Sequence, residues 1–76
     1  MSPDKLVHMA NQIASFFHTL PHEDAAARTA DHINKFWEPR MRRHLFEHMD
    51  KGGEGLDEAV MKARPLIHEA SYTLDA

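Results

Sequence analysis

The chain has 76 residues, no cysteine, and a formal net charge of −3 when its seven histidines are neutral. This length fits one small domain, and the lack of cysteine excludes disulfides, Cys-ligated zinc, iron–sulfur clusters and thiol nucleophiles. The mild acidic excess argues against nucleic-acid binding, which normally needs a basic surface. Asp4 and His8 interrupt the region where a signal peptide needs a long apolar run, and no stretch resembles a membrane span, so we expect a soluble cytoplasmic protein.

The first predicted helix runs from about Pro3 to Leu20. Ser2 suits the N-cap, Pro3 suits the first helical position, and Asp4 complements the helix dipole. The apolar residues recur at helical spacing and form one stripe of Leu6, Met9, Ala10, Ile13, Phe17 and Leu20. Pro21 biases Leu20 away from helical dihedral angles and therefore ends the segment.

The second predicted helix runs from about His22 to Trp37. Glu23 and Asp24 fall in its first turn, where negative charge is favourable. Its apolar stripe consists of Ala26, Ala30, Ile33 and Trp37. Phe36 lies alongside this stripe, so large aromatic side chains gather at one end, while the alanines permit close approach of a neighbouring helix.

Pro39 breaks or bends the chain and can itself open a third helix, which extends to about Lys51. The apolar stripe of this helix consists of Met41, Leu45 and Met49. Gly52 or Gly53 then supplies the stop at its C-terminal end.

A short fourth helix is predicted to begin at Asp57, which is a good N-cap. One of its faces carries Leu56, Val60, Ala63 and Ile67. Pro65 would clash with the carbonyl of Met61 in an unbent helix, so we expect a kink or an end there. The predicted fold is all-α: a small bundle of three to four short helices in a single domain at 1–68, followed by a flexible C-terminal tail at 69–76.

The strongest enzymatic motif is His44-Leu45-Phe46-Glu47-His48, which matches the H-x-x-E-H pattern of inverted zincins. The two histidines could hold zinc while Glu47 activates water, but such a site needs a third protein ligand and a cleft for substrate. The simpler interpretation places both histidines beside the apolar stripe and Glu47 in solvent. We therefore predict no metal site and no catalytic residue. Turn chemistry explains the glycine-rich loop at 52–55, which lacks the Lys-Ser/Thr of a P-loop.

A basic cluster lies at the start of the third helix and contains Arg40, Arg42 and Arg43. Arg42 falls within the apolar arc, so its charged end must reach water or find a partner. The cluster either contacts an acidic surface of a partner or RNA, or forms a solvated face paired with nearby glutamates. Phe46 and Phe16, at the edges of their stripes, are the aromatic residues best placed for an interface.

Four stretches of the chain together carry a family resemblance. They are DKLVHMANQI at 4–13, ADHI at 30–33, KFWEPRMR at 35–42 and GGEGLD at 52–57. Over about residues 4 to 64 the chain resembles the delta subunit of NAD-dependent, molybdenum-containing formate dehydrogenases. The run at 35–42 is the most specific part of this resemblance.

The resemblance implies a short cytoplasmic accessory subunit of a multi-subunit enzyme. Formate would be oxidised at a molybdenum bis-pterin centre in the large subunit, and iron–sulfur clusters, flavin and NAD would belong to other subunits, leaving no cofactor on this chain. The matching residues would then form a partner-binding surface, to which we add Phe46 from its position at the stripe edge. The predicted surface consists of Asn11, Gln12, Trp37, Pro39, Arg40, Arg42 and Phe46.

The predicted function is therefore that of a non-catalytic subunit. It would dock on the molybdenum-bearing catalytic subunit, and through it on the iron–sulfur and flavin subunits, and would stabilise or help to assemble the enzyme. The alternative is a self-associating helical regulatory or interaction protein without an attached enzyme. A discrete homodimer that contains no other subunit would favour this alternative.

Overall fold

The computed structural model describes residues 2–69, and all regular structure within them is helical. The elements are α1 Pro3–His18, α2 Ala25–Phe36, α3 Pro39–Asp50, α4 Glu58–Ala63 and a 3₁₀ turn at Arg64–Leu66. The described residues contain no strand, which confirms the predicted all-α class. The predicted tail at 69–76 lies outside the described residues except for its first position.

Helix α1 begins as predicted and ends two residues early. The Ser2 hydroxyl accepts a hydrogen bond at 3.3 Å from a backbone N–H of the first turn, which is the predicted cap. The helix ends at His18 instead of Leu20. Beyond it, Thr19 donates both its backbone N–H and its hydroxyl to the carbonyl of Phe16, at 3.1 and 2.6 Å. This local pairing closes the last turn before the proline is reached.

Helix α2 begins at Ala25, so the predicted start at His22 was wrong. His22 has a φ of 68°, which a helix start does not allow. The carboxylate of Asp24 accepts hydrogen bonds at 3.0 and 3.2 Å from two N–H groups of the first turn. Asp24 is therefore the N-cap, and both it and Glu23 precede the helix instead of lying in its first turn. At the other end, α2 stops at Phe36, one residue before the prediction.

Two glycines end α3 in a Schellman arrangement, as the prediction of a glycine stop requires. The N–H of Gly53 donates to the carbonyl of His48 at 2.9 Å, and that of Gly52 donates to Met49 at 3.0 Å. Gly53 has a φ of 65°, where a side chain is strained. A Cβ added there would also lie 2.5 Å from the sulfur of Met61.

Helix α4 follows its sequence signals at both ends. Asp57 is the predicted N-cap, and its carboxylate accepts a hydrogen bond from the N–H of Ala59 at 2.8 Å. The α-helix ends at Ala63, and the chain continues through Pro65 as the 3₁₀ turn. The predicted kink or end at this proline is confirmed.

The core lies where α2 packs against both α1 and α4, while α3 packs on α1. Its buried apolar residues are Leu6, Ala10, Ala14, Ala30, Ile33, Trp37, Leu45, Met49, Ala59, Val60, Ala63 and Ile67. Five of these twelve are alanines, which let helices approach closely but each remove little apolar area from water. The domain therefore has a thin core. Within residues 2–69 no helix is both long and apolar enough to cross a membrane.

Candidate partner-binding surface

Three large apolar side chains of the described residues are exposed to solvent. Phe36 is 70% exposed, Phe16 59% and Leu66 49%, and they come from α2, α1 and the 3₁₀ turn. Scattered apolar residues on a surface are ordinary. In a domain with so thin a core, however, each exposed phenylalanine is a large side chain that does not contribute to the interior. These side chains are available to a partner.

The α2–α3 elbow, which we define as residues 36–43, joins two helices through a two-residue extended link. Trp37 in this link points inward and is 6% exposed. Its backbone N–H also donates to the carbonyl of Ile33 at 2.9 Å. Trp37 therefore anchors the elbow to the core. Almost none of its side chain remains exposed for the partner contact that was predicted for it. Pro39, which opens α3, is exposed.

The N-terminus of α3 has no side-chain cap. Glu38 occupies the N-cap position but makes no capping hydrogen bond. The N–H groups of Arg40 and Met41 have no hydrogen-bond partner within residues 2–69. The first turn contains no acidic residue, so its basic side chains add to the positive end of the helix dipole. This end of α3 therefore favours negative charge.

The three arginines of the predicted basic cluster have different surroundings. Arg40 is exposed and makes no hydrogen bond or ion pair with the part of the chain that the structure describes. Arg42 is partly buried, and its Nη1 donates to the carbonyl of Asn34 at 3.4 Å, so the arginine in the apolar arc has found a partner. Its buried Nε has no partner among the described residues. Arg43 is exposed. Arg42 thus links the end of α2 to the start of α3, and Arg40 is available.

Asn11 lies at a different place in the fold and has a different role from the elbow. Its side-chain amide donates to the carbonyl of Gly55 at 2.8 Å, and its Oδ1 accepts from the N–H of Asp57 at 2.8 Å. Both polar groups of Asn11 are therefore used to hold the loop before α4. Gln12, the next residue in the predicted surface, is exposed.

A second contact joins the same two elements. The Nε2 of His18 lies 3.2 Å from Oδ1 of Asp57. The hydrogen bond from the N–H of Ala59, and after it the contact with His18, lower the pKa of Asp57 below its ordinary value. We call these contacts of Asn11 and His18 with residues 55–57 the α1–α4 corner.

Phe46 is half-buried on α3 beside the 3₁₀ turn. The guanidinium of Arg64 lies 4.9 Å from the centre of its ring and forms an ion pair at 2.6 Å with Asp50. One face of the phenylalanine is therefore covered within the chain, and the remainder borders a surface pocket together with Pro65 and Ile67.

The His44–His48 motif borders a cleft of about 300 Å³ between α3 and the start of α1. The Nε2 of His48 lies 2.8 Å from the carbonyl oxygen of Glu54, and Glu47 is exposed. Residues 2–69 contain no group of three histidine, aspartate or glutamate side chains placed to hold a metal ion. His48 therefore lies against the backbone of the loop before α4.

Phe36 and Leu66 are exposed but are not part of the partner-binding surface predicted from the sequence. Phe36 lies at the edge of the α2 stripe, and its only ring contact among the described residues is with His32, at 4.7 Å between ring centres. Its edge position, which was enough to nominate Phe46 and Phe16, was available as a signal. Leu66 offered no signal of this kind, because its exposure depends on the turn after Pro65.

Comparison with known families gives one match. The model of a family described as NADH-dependent formate dehydrogenase delta subunit FdsD matches residues 5–64. The matched region contains α2, α3 and α4, nearly all of α1, and every residue of the predicted partner-binding surface. A search of curated proteins found no match.

Proposed function

Because the chain belongs to the family of NADH-dependent formate dehydrogenase delta subunits, we propose that it is a non-catalytic subunit that docks on the molybdenum-bearing subunit and stabilises it. The observation that carries this proposal is the family match, which spans nearly the whole helical body. A delta subunit of a formate dehydrogenase associates with the other subunits of that enzyme. Which subunit it contacts, and what the contact achieves, are the parts that we propose.

The distribution of exposed groups supports docking through the α3 side of the molecule. Pro39 and Arg40 are exposed, while Arg42 and Phe46 are partly so. We propose these four as partner contacts, together with exposed Gln12 on α1. Asn11 remains in the proposed surface only because of its position beside Gln12. Both polar groups of its side chain already make hydrogen bonds within the chain.

Docking would stabilise the partner by mass action. A subunit that binds only the folded form of its partner adds about 2.7 kcal/mol of stability when its free concentration is 100 times its Kd. A specific interface buries roughly 800 Å² on each partner. Such an area covers much of one face of this small bundle.

The experiment is co-expression of the formate dehydrogenase subunits with and without the tagged chain. We expect the molybdenum-bearing subunit to co-purify in near-stoichiometric amount and to have a lower Tm when this chain is omitted. Molybdenum content per large subunit separates two roles: an unchanged content with a lower Tm indicates stabilisation, and a reduced content indicates help in assembly.

The contradicting outcome is the alternative function. Recovery of the chain alone as a discrete homodimer, measured by sedimentation equilibrium while all other subunits are present, would replace the proposal with a self-associating bundle.

A further inference from the structure

We propose that the α2–α3 elbow receives an acidic, apolar-flanked segment of the partner subunit, with Phe36 as the apolar anchor and Arg40 as the contact for a carboxylate. This inference rests on the proposed function and names the chemistry of its interface. It is carried by three independent features of the elbow: charge, unused polar groups and an exposed aromatic ring.

Charge is distributed unevenly along the chain. The elbow, residues 36–43, contains three arginines and one glutamate, a formal charge of +2. The other 68 residues contain six basic and eleven acidic side chains, a formal charge of −5. An acidic segment is therefore attracted to the elbow and repelled by most of the remaining surface, which selects both the site and the orientation of docking.

Arg40 can bind a carboxylate without losing a contact within the chain. Four other basic side chains already pair with acidic neighbours: Arg28 with Glu23, Lys35 with Asp31, Lys62 with Glu58, and Arg64 with Asp50. Arg40 has no such pair within residues 2–69. The uncapped N–H groups of the first turn of α3 offer further donors to the same carboxylate.

Phe36 supplies apolar area beside this charge. The Cα atoms of Phe36 and Arg40 are four residues apart and so at most about 14 Å from each other. Both therefore fit within one interface of ordinary size. The elbow is also held in place by buried Trp37 and by the hydrogen bond from Arg42 to Asn34. A partner that binds here orders little of the chain, which favours affinity.

The same features disfavour a second copy of the chain as the occupant. A twofold dimer through the elbow would bring two identical surfaces together, each with a formal charge of +2 at residues 36–43. Like charges placed opposite each other oppose association.

The test measures affinity of the purified chain for the molybdenum-bearing subunit at several sodium chloride concentrations. Arg40→Glu reverses the charge, and Phe36→Ser removes the anchor. Lys62→Glu is the matched control: Lys62 is exposed and borders a pocket with Asp24 and Ala25 at the far end of α2, about 18 Å along that helix from the elbow.

We expect Arg40→Glu to weaken binding at least tenfold at low salt and to flatten the salt dependence. Phe36→Ser should weaken binding about tenfold and leave the salt dependence unchanged, because it removes apolar contact only. Lys62→Glu should stay within about twofold of the wild type. Circular dichroism of each variant confirms that the helices are intact.

The outcomes separate the inference from the proposed function. If the wild-type chain binds and both elbow variants bind equally well, the inference is overturned and the proposed function stands. If the wild-type chain does not bind the molybdenum-bearing subunit, the proposed function fails as well. A photo-crosslinker placed at position 36 should capture a peptide with aspartate or glutamate, and a captured peptide without acidic residues would overturn the inference while docking itself held.

Discussion

The α1–α4 corner and the α2–α3 elbow are both junctions between helices, but they treat their polar groups in opposite ways. At the corner, the Asn11 side chain donates to the carbonyl of Gly55 and accepts from the backbone N–H of Asp57, while the Asp57 carboxylate caps α4. At the elbow, the start of α3 has no side-chain cap, Arg40 has no partner within residues 2–69, and Phe36 lies in solvent. The polar groups of the corner are satisfied within residues 2–69, whereas we propose that a partner completes the elbow.

This difference predicts that mutations at the two junctions will affect different quantities. A group that is satisfied inside the chain contributes to the free energy of unfolding. An exposed group without a partner inside the chain contributes little to that energy, and at the elbow we propose that such groups act in association instead. The elbow itself contains both kinds, because Trp37 faces the core and its neighbour Phe36 does not.

The largest expected effect is at Trp37. Trp37→Ala should lower the free energy of unfolding by about 3–5 kcal/mol, because it removes a large buried side chain and leaves a cavity. Urea denaturation followed by circular dichroism measures the change. A loss below about 1 kcal/mol would mean that Trp37 is not part of the core of the free chain.

Asn11→Ala should lower the free energy of unfolding by about 2–3 kcal/mol, because the N–H of Asp57 and the carbonyl of Gly55 both lose their partner. Gln12→Ala is the control, since Gln12 is exposed on the same helix and should change stability by less than about 0.5 kcal/mol. Equal losses in the two variants would remove the distinction between corner and surface.

A substitution at Thr29 tests whether an unsatisfied buried polar atom lowers the free energy of unfolding. Its fully buried hydroxyl has no hydrogen-bond partner among the described residues. Thr29→Val keeps the shape and removes the hydroxyl, so we expect the free energy of unfolding to rise by about 1 kcal/mol. Thermal denaturation of the variant measures this, and a decrease would show that the hydroxyl has a partner in solution.

A smaller change in the free energy of unfolding is expected at the α1–α4 corner when the pH falls. The lowered pKa of Asp57 means that its ionised form stabilises the folded state above the unfolded-state pKa. That contribution is lost as the pH falls through the lower folded-state pKa. Between about pH 5 and about pH 2 the wild type should therefore lose more stability than Asp57→Asn. Glu58→Gln serves as the control, and a wild-type loss matched by Asp57→Asn would contradict this account.

The smallest expected change in stability is at Phe36. Phe36→Ser should alter the free energy of unfolding of the isolated chain by less than about 0.5 kcal/mol, because the ring lies mostly in water. Its effect should instead appear in the affinity for the partner subunit. A loss of stability comparable to that of Trp37→Ala would place Phe36 in the core and would remove the anchor from the elbow.

Features set by a few neighbouring residues could be predicted from the sequence. Ser2 and Asp57 act as caps, and Gly52 and Gly53 end α3, because each depends on chemistry within about five residues. The start of α2 could not be predicted in this way. Glu23 and Asp24 suit the first turn of a helix, which favoured a start at His22, but His22 has a φ of 68° and the helix begins only after Asp24.

The candidate surface was less accessible to sequence reasoning. The contacts of Asn11 are with backbone groups 44 and 46 residues away, and nothing near Asn11 in the sequence indicates them. Phe36 and Trp37 are adjacent aromatic residues in one recognisable run, yet the packing of neighbouring helices buries one and exposes the other. The family resemblance covered both residues and could not distinguish their roles.

The alanine-rich core has a consequence for the fate of the chain in a cell. Proteases cleave the transiently opened form of a protein, and a shallow interior makes that form more frequent. If the chain docks on its partner as proposed, docking makes the opened form rarer, and we expect an unassembled chain to be degraded sooner than an assembled one. The amount of the chain that persists would then follow the supply of its partner and not its own rate of synthesis, so a fixed subunit ratio would not need matched expression.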